Sequence, residues 1–159
     1  MEKIMRKTSS ILISLLLTAT VSLPALAAWK LDNANSELSF ISVKKANIAE
    51  NHNFAKLAGN INEQAQVNIS VDLTSVNTNI AIRDDRMKKF VFESDKYSTA
   101  NFIATLDKSL LNNLTIGANK KLSVSGVVDF HGEQQTVTIE VSVIKLSADK
   151  ILVNTIKPF

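Results

Sequence analysis

The chain has 159 residues, 45% hydrophobic and 21% charged, with two histidines and no cysteine. Thiolate chemistry, thiolate-held cofactors and disulfides are therefore excluded, and burial and hydrogen bonding must hold the fold. Without residues 1–27, which carry Lys3, Arg6, Lys7 and Glu2, the formal net charge falls from +3 to +1, which gives no field for steering nucleic acid or an anionic membrane.

Residues 1–27 read as a signal peptide: a basic start, the apolar stretch Ile11 to Leu17, and Ala25-Leu26-Ala27 as a small-residue cleavage site. The expected location is periplasmic or secreted. The apolar stretch is shorter than the roughly 18 residues of a membrane span, and nothing later is apolar enough to be one, so no integral membrane segment is expected after cleavage. Residues 28–159, about 130 in number, suit a single domain, and no linker or low-complexity tract divides them.

Ser36 to Val43 alternates imperfectly, with Leu38 and Phe40 on one face and Ile41 and Val43 on the other, the pattern of a strand with apolar surroundings on both sides. Glu50 to Ile61 carries Phe54, Leu57 and Ile61 around Gly59. Helical spacing could explain that trio, but Gly59-Asn60 favours a strand with a bend or bulge. Gln66 to Leu73 alternates strictly and puts Val67, Ile69, Val71 and Leu73 on a dry face, with Gln66, Asn68, Ser70 and Asp72 facing water. Arg83 to Phe92 loses the alternation; Met87, Phe90 and Val91 recur at helical spacing, with Asp84 and Asp85 in the first turn and Lys88 and Lys89 later, as the helix dipole prefers.

Alternation returns in Phe102, Ala104 and Leu106, in Leu122, Val124, Gly126, Val128 and Phe130, and in Val137, Ile139, Val141 and Val143. His131-Gly132-Glu133-Gln134 reads as a hairpin connection between the last two runs. Asn112-Asn113 and Gly117-Ala118-Asn119 read as turns, and Ile151 to Ile156 as a final short strand. Seven or eight regularly spaced strands with one helical insertion around residues 83–92 predict an all-β sandwich or antiparallel β-barrel, and closure into a barrel removes exposed edges.

Leu31-Asp32, Ser36-Glu37-Leu38-Ser39-Phe40, His52-Asn53-Phe54 with Leu57-Ala58-Gly59-Asn60-Ile61, Ser75-Val76-Asn77-Thr78-Asn79, Arg83-Asp84 with Met87, Tyr97 to Phe102, and Leu122-Ser123-Val124-Ser125-Gly126 follow one another along nearly all of the chain after residue 27. In the order and spacing of these motifs the chain resembles the YceI-like family of exported lipid-binding proteins. The resemblance implies a lipocalin-like β-barrel with an elongated apolar pore that in some members holds a polyisoprenoid. The expected ligand is a long-chain polyisoprenoid or an isoprenoid quinone or its precursor, held for transport, storage or sequestration, and no cofactor or metal is expected. Two departures stand out: Tyr97-Ser98 lacks the proline many members carry after the aromatic residue, and the sequence ends at Phe159 where relatives usually continue. The barrel is therefore expected either to close with fewer strands or to be incomplete at its C-terminus.

On this reading the pore wall is Leu38, Phe40, Phe54, Val67, Ile69, Val71, Leu73, Phe102, Leu122, Val124, Val128, Ile139 and Val141, with small Ala104 and Gly126 leaving volume for a lipid tail. His52, Arg83 and Asp84 are expected at a cap or rim. Asp84 and Asp85 read as dipole-compatible cap residues paired with arginines, and Arg83 as a tie between the helical insert and the barrel wall. Two alternatives stay open: a packed-barrel envelope structural or interaction protein, and a small enzyme using His52 and the Arg83-Asp84 region. No nucleophile motif supports catalysis, and neither His52 nor His131, with Glu50, Asp129 or Glu133 as partners, falls at a zinc-signature spacing.

Overall fold

The computed structural model describes residues 27–45 and 47–158; the predicted signal peptide lies outside them, apart from Ala27. Ten strands follow in chain order: β1 (Ala27–Lys30), β2 (Leu38–Lys44), β3 (Ile48–Phe54), β4 (Leu57–Asn62), β5 (Gln66–Asp72), β6 (Val76–Asn77), β7 (Thr99–Thr105), β8 (Asn119–Phe130), β9 (Glu133–Lys145) and β10 (Ile151–Thr155). Seven form one antiparallel sheet in the order β1-β4-β5-β7-β8-β9-β10, and the other three form a small sheet in the order β2-β3-β6. The large sheet curls into a half-barrel, so the all-β, lipocalin-like class holds. Among the described residues β10 pairs only with β9 and β2 only with β3, and the hydrogen-bonded ring is left open there.

The strict alternation of β5 follows from its place inside the large sheet, between β4 and β7, with one face inward and one toward solvent. The strand ends at Asp72, whose carboxylate accepts from the Thr74 amide at 2.9 Å, and Leu73–Ser75 turns the chain out of the large sheet. Two residues of β6 then pair with Asn53 and Phe54 of β3. The polar junction after β5 is thus the crossover from one sheet to the other. Helix α1 (Ala81–Arg86) follows and continues as a π turn over Met87–Val91, close to the predicted insertion. The β8–β9 loop is the two residues His131 and Gly132, both at positive φ (56° and 80°), the geometry of a tight hairpin turn.

Three local expectations are corrected. Glu50 to Ile61 is not one bent strand but the end of β3 and most of β4, broken at Ala55-Lys56, where the chain passes between sheets. Its glycine serves close packing: a Cβ on Gly59 would sit 2.7 Å from Ile69 Cδ1. In β2 only the Leu38/Phe40 face is covered, whereas Ile41 and Val43 are 64% and 63% exposed. Residues before Asn113 form a second short helix, α2 (Lys108–Asn112), capped by the Asp107 carboxylate, which accepts from the Ser109 amide at 2.8 Å.

Candidate functional site: an apolar trough with a polar end

The inner face of the large sheet is assembled by register. Ile69 on β5 stands opposite Phe102 on β7, which stands opposite Val128 on β8; Val67, Ala104 and Gly126 form the neighbouring row. Farther along, Leu122 faces Val141 and Val124 faces Ile139 across β8 and β9. These side chains gather into two clusters. One buries Val71, Leu73, Val76 and Phe92, with Leu38, Phe40, Phe54, Leu57, Met87 and Ala100 packed on it, and joins the small sheet and the helical insert to the large sheet. The other buries Leu114, Ile139, Val141 and Val143, with Phe102, Leu111, Leu122, Val124, Val137 and Ile151 packed on it.

Ten of the thirteen residues read as wall from sequence therefore fall in these clusters. The remaining three, Val67, Ile69 and Val128, belong to neither and are half-buried on the same inner face. They form an apolar floor between two packed ends. Phe92 and Leu114, both buried, were missed. Phe92 lies in the predicted helix without a place in the periodic trio, and Leu114 stands in the short stretch between the two segments read as turns.

The small inward residues do not leave the space expected of them. A Cβ on Gly126 would meet the Phe102 ring at 2.6 Å and the Ile103 carbonyl at 2.5 Å. The Phe102 ring thus already occupies the volume that glycine frees. A solvent-open hollow of about 310 Å³ lies elsewhere, outside the trough, and its lining of Thr74, Asp85, Lys88, Lys89, Ser94 and Asp95 suits no apolar chain.

The inner face of the small sheet changes character along β2 and β3. Leu38 and Phe54 are paired, then Phe40 and His52, then Ser42 and Glu50. His52 is 4% exposed, packs its ring 5.2 Å from that of Phe40, and sits with Nε2 2.8 Å from Ser42 Oγ. Arg83 donates to Glu50 at 2.6 Å and to the Thr78 carbonyl at 2.8 Å, and so ties α1 to β3. That hydrogen bond, with the desolvation that opposes it and the added attraction of the Arg83 charge, holds the Glu50 carboxyl below the usual glutamate range. Asp84 does not pair with an arginine as expected. Its Oδ1 accepts from the Thr78 amide at 2.8 Å and from Thr78 Oγ1 at 2.6 Å, closing the loop into α1.

Ser42, His52 and Glu50 share this face, but the geometry is not that of a hydrolytic triad. His52 Nδ1 is buried without a hydrogen-bond partner among the described residues, so no carboxylate orients the ring for proton transfer. Glu50 is engaged by Arg83 instead. His131 stands apart in the β8–β9 turn, its ring 4.5 Å from that of Tyr97. Among the described residues no cluster of three metal-ligating side chains occurs, and no helix is long and apolar enough to cross a membrane.

Comparison with known proteins bears on this arrangement. The profile of the YceI-like domain matches residues 29–156. Among solved structures, a polyisoprenoid binding domain from Saccharophagus degradans, implicated in plant cell wall breakdown, is 34% identical with a TM-score of 0.81, over 84% of this chain and 77% of that one. BcnA of Burkholderia cenocepacia shares the fold at 22% identity, with a TM-score of 0.59 over 74% of this chain and 73% of its own. No curated protein sequence matches. The profile match runs from β1 through β10 and spans both sheets, the crossover between them and the helical insert, and on that ground the chain belongs to the YceI-like domain family.

Proposed function

We propose that this protein is an exported, non-enzymatic carrier that holds a long isoprenoid chain, a polyisoprenoid or isoprenoid quinone, along the inner face of its half-barrel for transport, storage or sequestration. The observation that carries the reading is the half-buried floor of Val67, Ile69 and Val128 between two buried clusters. Apolar residues on a covered face are ordinarily packed against one another, and these three have no buried cluster of their own. The 34%-identical domain described as polyisoprenoid binding supports the same ligand class. Apolar contact suffices for affinity: at about 0.8 kcal/mol per buried CH₂, two five-carbon units approach micromolar binding before ordering costs.

A packed-barrel structural protein is the second reading, favoured by the Phe102 ring seated over Gly126 and by Ile69 seated against Gly59. Mass spectrometry of an organic extract of the protein purified from its native compartment separates the two. Stoichiometric isoprenoid is the expected result. A protein that comes out empty and takes up no added prenyl lipid belongs to the packed reading.

A further inference from the structure

The β2–β3 hairpin is anchored at its base and bare at its tip. Leu38, Phe40 and Phe54 pack into the core, while Ile41 and Val43 on the outer face are 64% and 63% exposed and Ile48 is 48% exposed. Ile82, 60% exposed, precedes the Arg83 that is bound to Glu50, two residues along β3 from Ile48. Lys44 and Lys45 stand at the turn, and no carboxylate occurs from Leu38 to Ala49. The nearest, Glu50, is engaged by Arg83.

Exposed aliphatic side chains on both faces of a hairpin, beside two cations that form no ion pair among the described residues, match a surface that is apolar within and negatively charged at its rim. We propose that this tip docks on the surface of an anionic lipid bilayer, with Ile41, Val43 and Ile48 entering the headgroup boundary and the two lysines meeting lipid phosphates. Long lysine stems allow this, since they lie along apolar surface while the ammonium stays among the headgroups. The small net charge of residues 28–159 does not oppose it, because the attraction acts locally, within a screening length of about 8 Å at physiological salt. The inference goes beyond the carrier reading and can fail separately from it.

The test is flotation of the full-length mature chain with phosphatidylcholine vesicles and with vesicles in which a third of that lipid is replaced by phosphatidylglycerol. Binding to the anionic vesicles is expected, weakened at high salt, with little binding to the neutral ones. Each lysine contributes about fivefold, so the Lys44→Glu/Lys45→Glu variant should bind more than tenfold more weakly. Ile41→Glu/Val43→Glu should abolish binding, while Ile103→Glu, at an exposed position on the other face of the large sheet, should bind as the wild type does. These changes fall at exposed positions, and circular dichroism checks that each variant folds. The proposal is overturned if the wild type does not float with anionic vesicles, or if the hairpin variants bind unchanged. It is also overturned if sedimentation shows a dimer that Ile41→Glu/Val43→Glu dissolves, since a second copy then covers the tip. Prenyl-lipid uptake from detergent, measured in parallel, keeps the two readings apart: uptake without flotation contradicts only the docking, and flotation without uptake contradicts only the carrier.

Discussion

The two ends of the trough are built differently. At the end near the helical insert, two sheets and a helix converge, leaving Leu73 and Thr78 each 2% exposed and His52 4% exposed. At the other end the large sheet runs out at β10, where Ile151 is half-buried and Val153 is 48% exposed. Both ends carry the same kinds of aliphatic residue, so the difference lies in how far the cover extends: Leu111 of α2 and Leu114 pack on Ile139, Val141 and Val143, and that cover gives out along β10. Convergence of two sheets and a helix closes the first core, and a single short helix leaves the margin of the second exposed.

That contrast is sharpest in stability. Leu73→Ala should cost about 3 kcal/mol, because the cavity opens where two sheets meet and neither can close on it, whereas Val153→Ala should stay within about 0.5 kcal/mol. Urea unfolding of the pair checks this, and equal losses would erase the distinction between the ends. Next in size is Gly126→Ala, which should destabilise by about 2 kcal/mol, since a Cβ there presses on both the Phe102 ring and the Ile103 carbonyl. A variant as stable as the wild type would mean that Phe102 leaves its place at little cost, and the floor would then be deeper than it stands.

Smaller effects belong to the polar end. The Arg83–Glu50 pair is partly exposed, at 30% and 36% of the two side chains, so Arg83→Ala should cost only about 1 kcal/mol by thermal unfolding while releasing the Thr78 carbonyl. A loss several times larger would make this pair, rather than the apolar cluster, the main tie of the helix. Its pH dependence follows from the lowered Glu50 pKa. At acid pH the unfolded chain binds the proton more readily than the folded one, so the pair's contribution is complete above the ordinary glutamate pKa. It is lost as pH falls through the lower folded value. Arg83→Ala should flatten that acid limb, and an unchanged limb would remove Glu50 from the account.

The reading of β5, β8 and β9 from sequence succeeds because a period of two reports directly which face is covered, and Val71, Ile139 and Val141 are buried as the alternation implies. The division into two sheets was not legible. It depends on β6, two residues long, pairing with Asn53 and Phe54 more than twenty positions earlier, and so short a segment carries no periodic signal. The neighbours of His52 were hidden for a related reason: Ser42 reaches it only through the register of β2 on β3. Ile41 and Val43 misled because apolar residues on both faces imply burial on both, and the pattern does not distinguish a covered face from an unpartnered one. Helix α2 was missed because five residues are too few to establish a helical period, although Asp107 ahead of Lys108-Ser109-Leu110-Leu111 carries a capping signal.

The central claim is that the floor between the two clusters carries an isoprenoid chain, and its most direct measurement is the affinity of the delipidated protein for prenyl lipids of increasing length. Affinity should rise with each five-carbon unit until the trough is filled and then level off, and Ile69→Asp should remove that rise. Failure to bind at every length, or affinity independent of length, would contradict it.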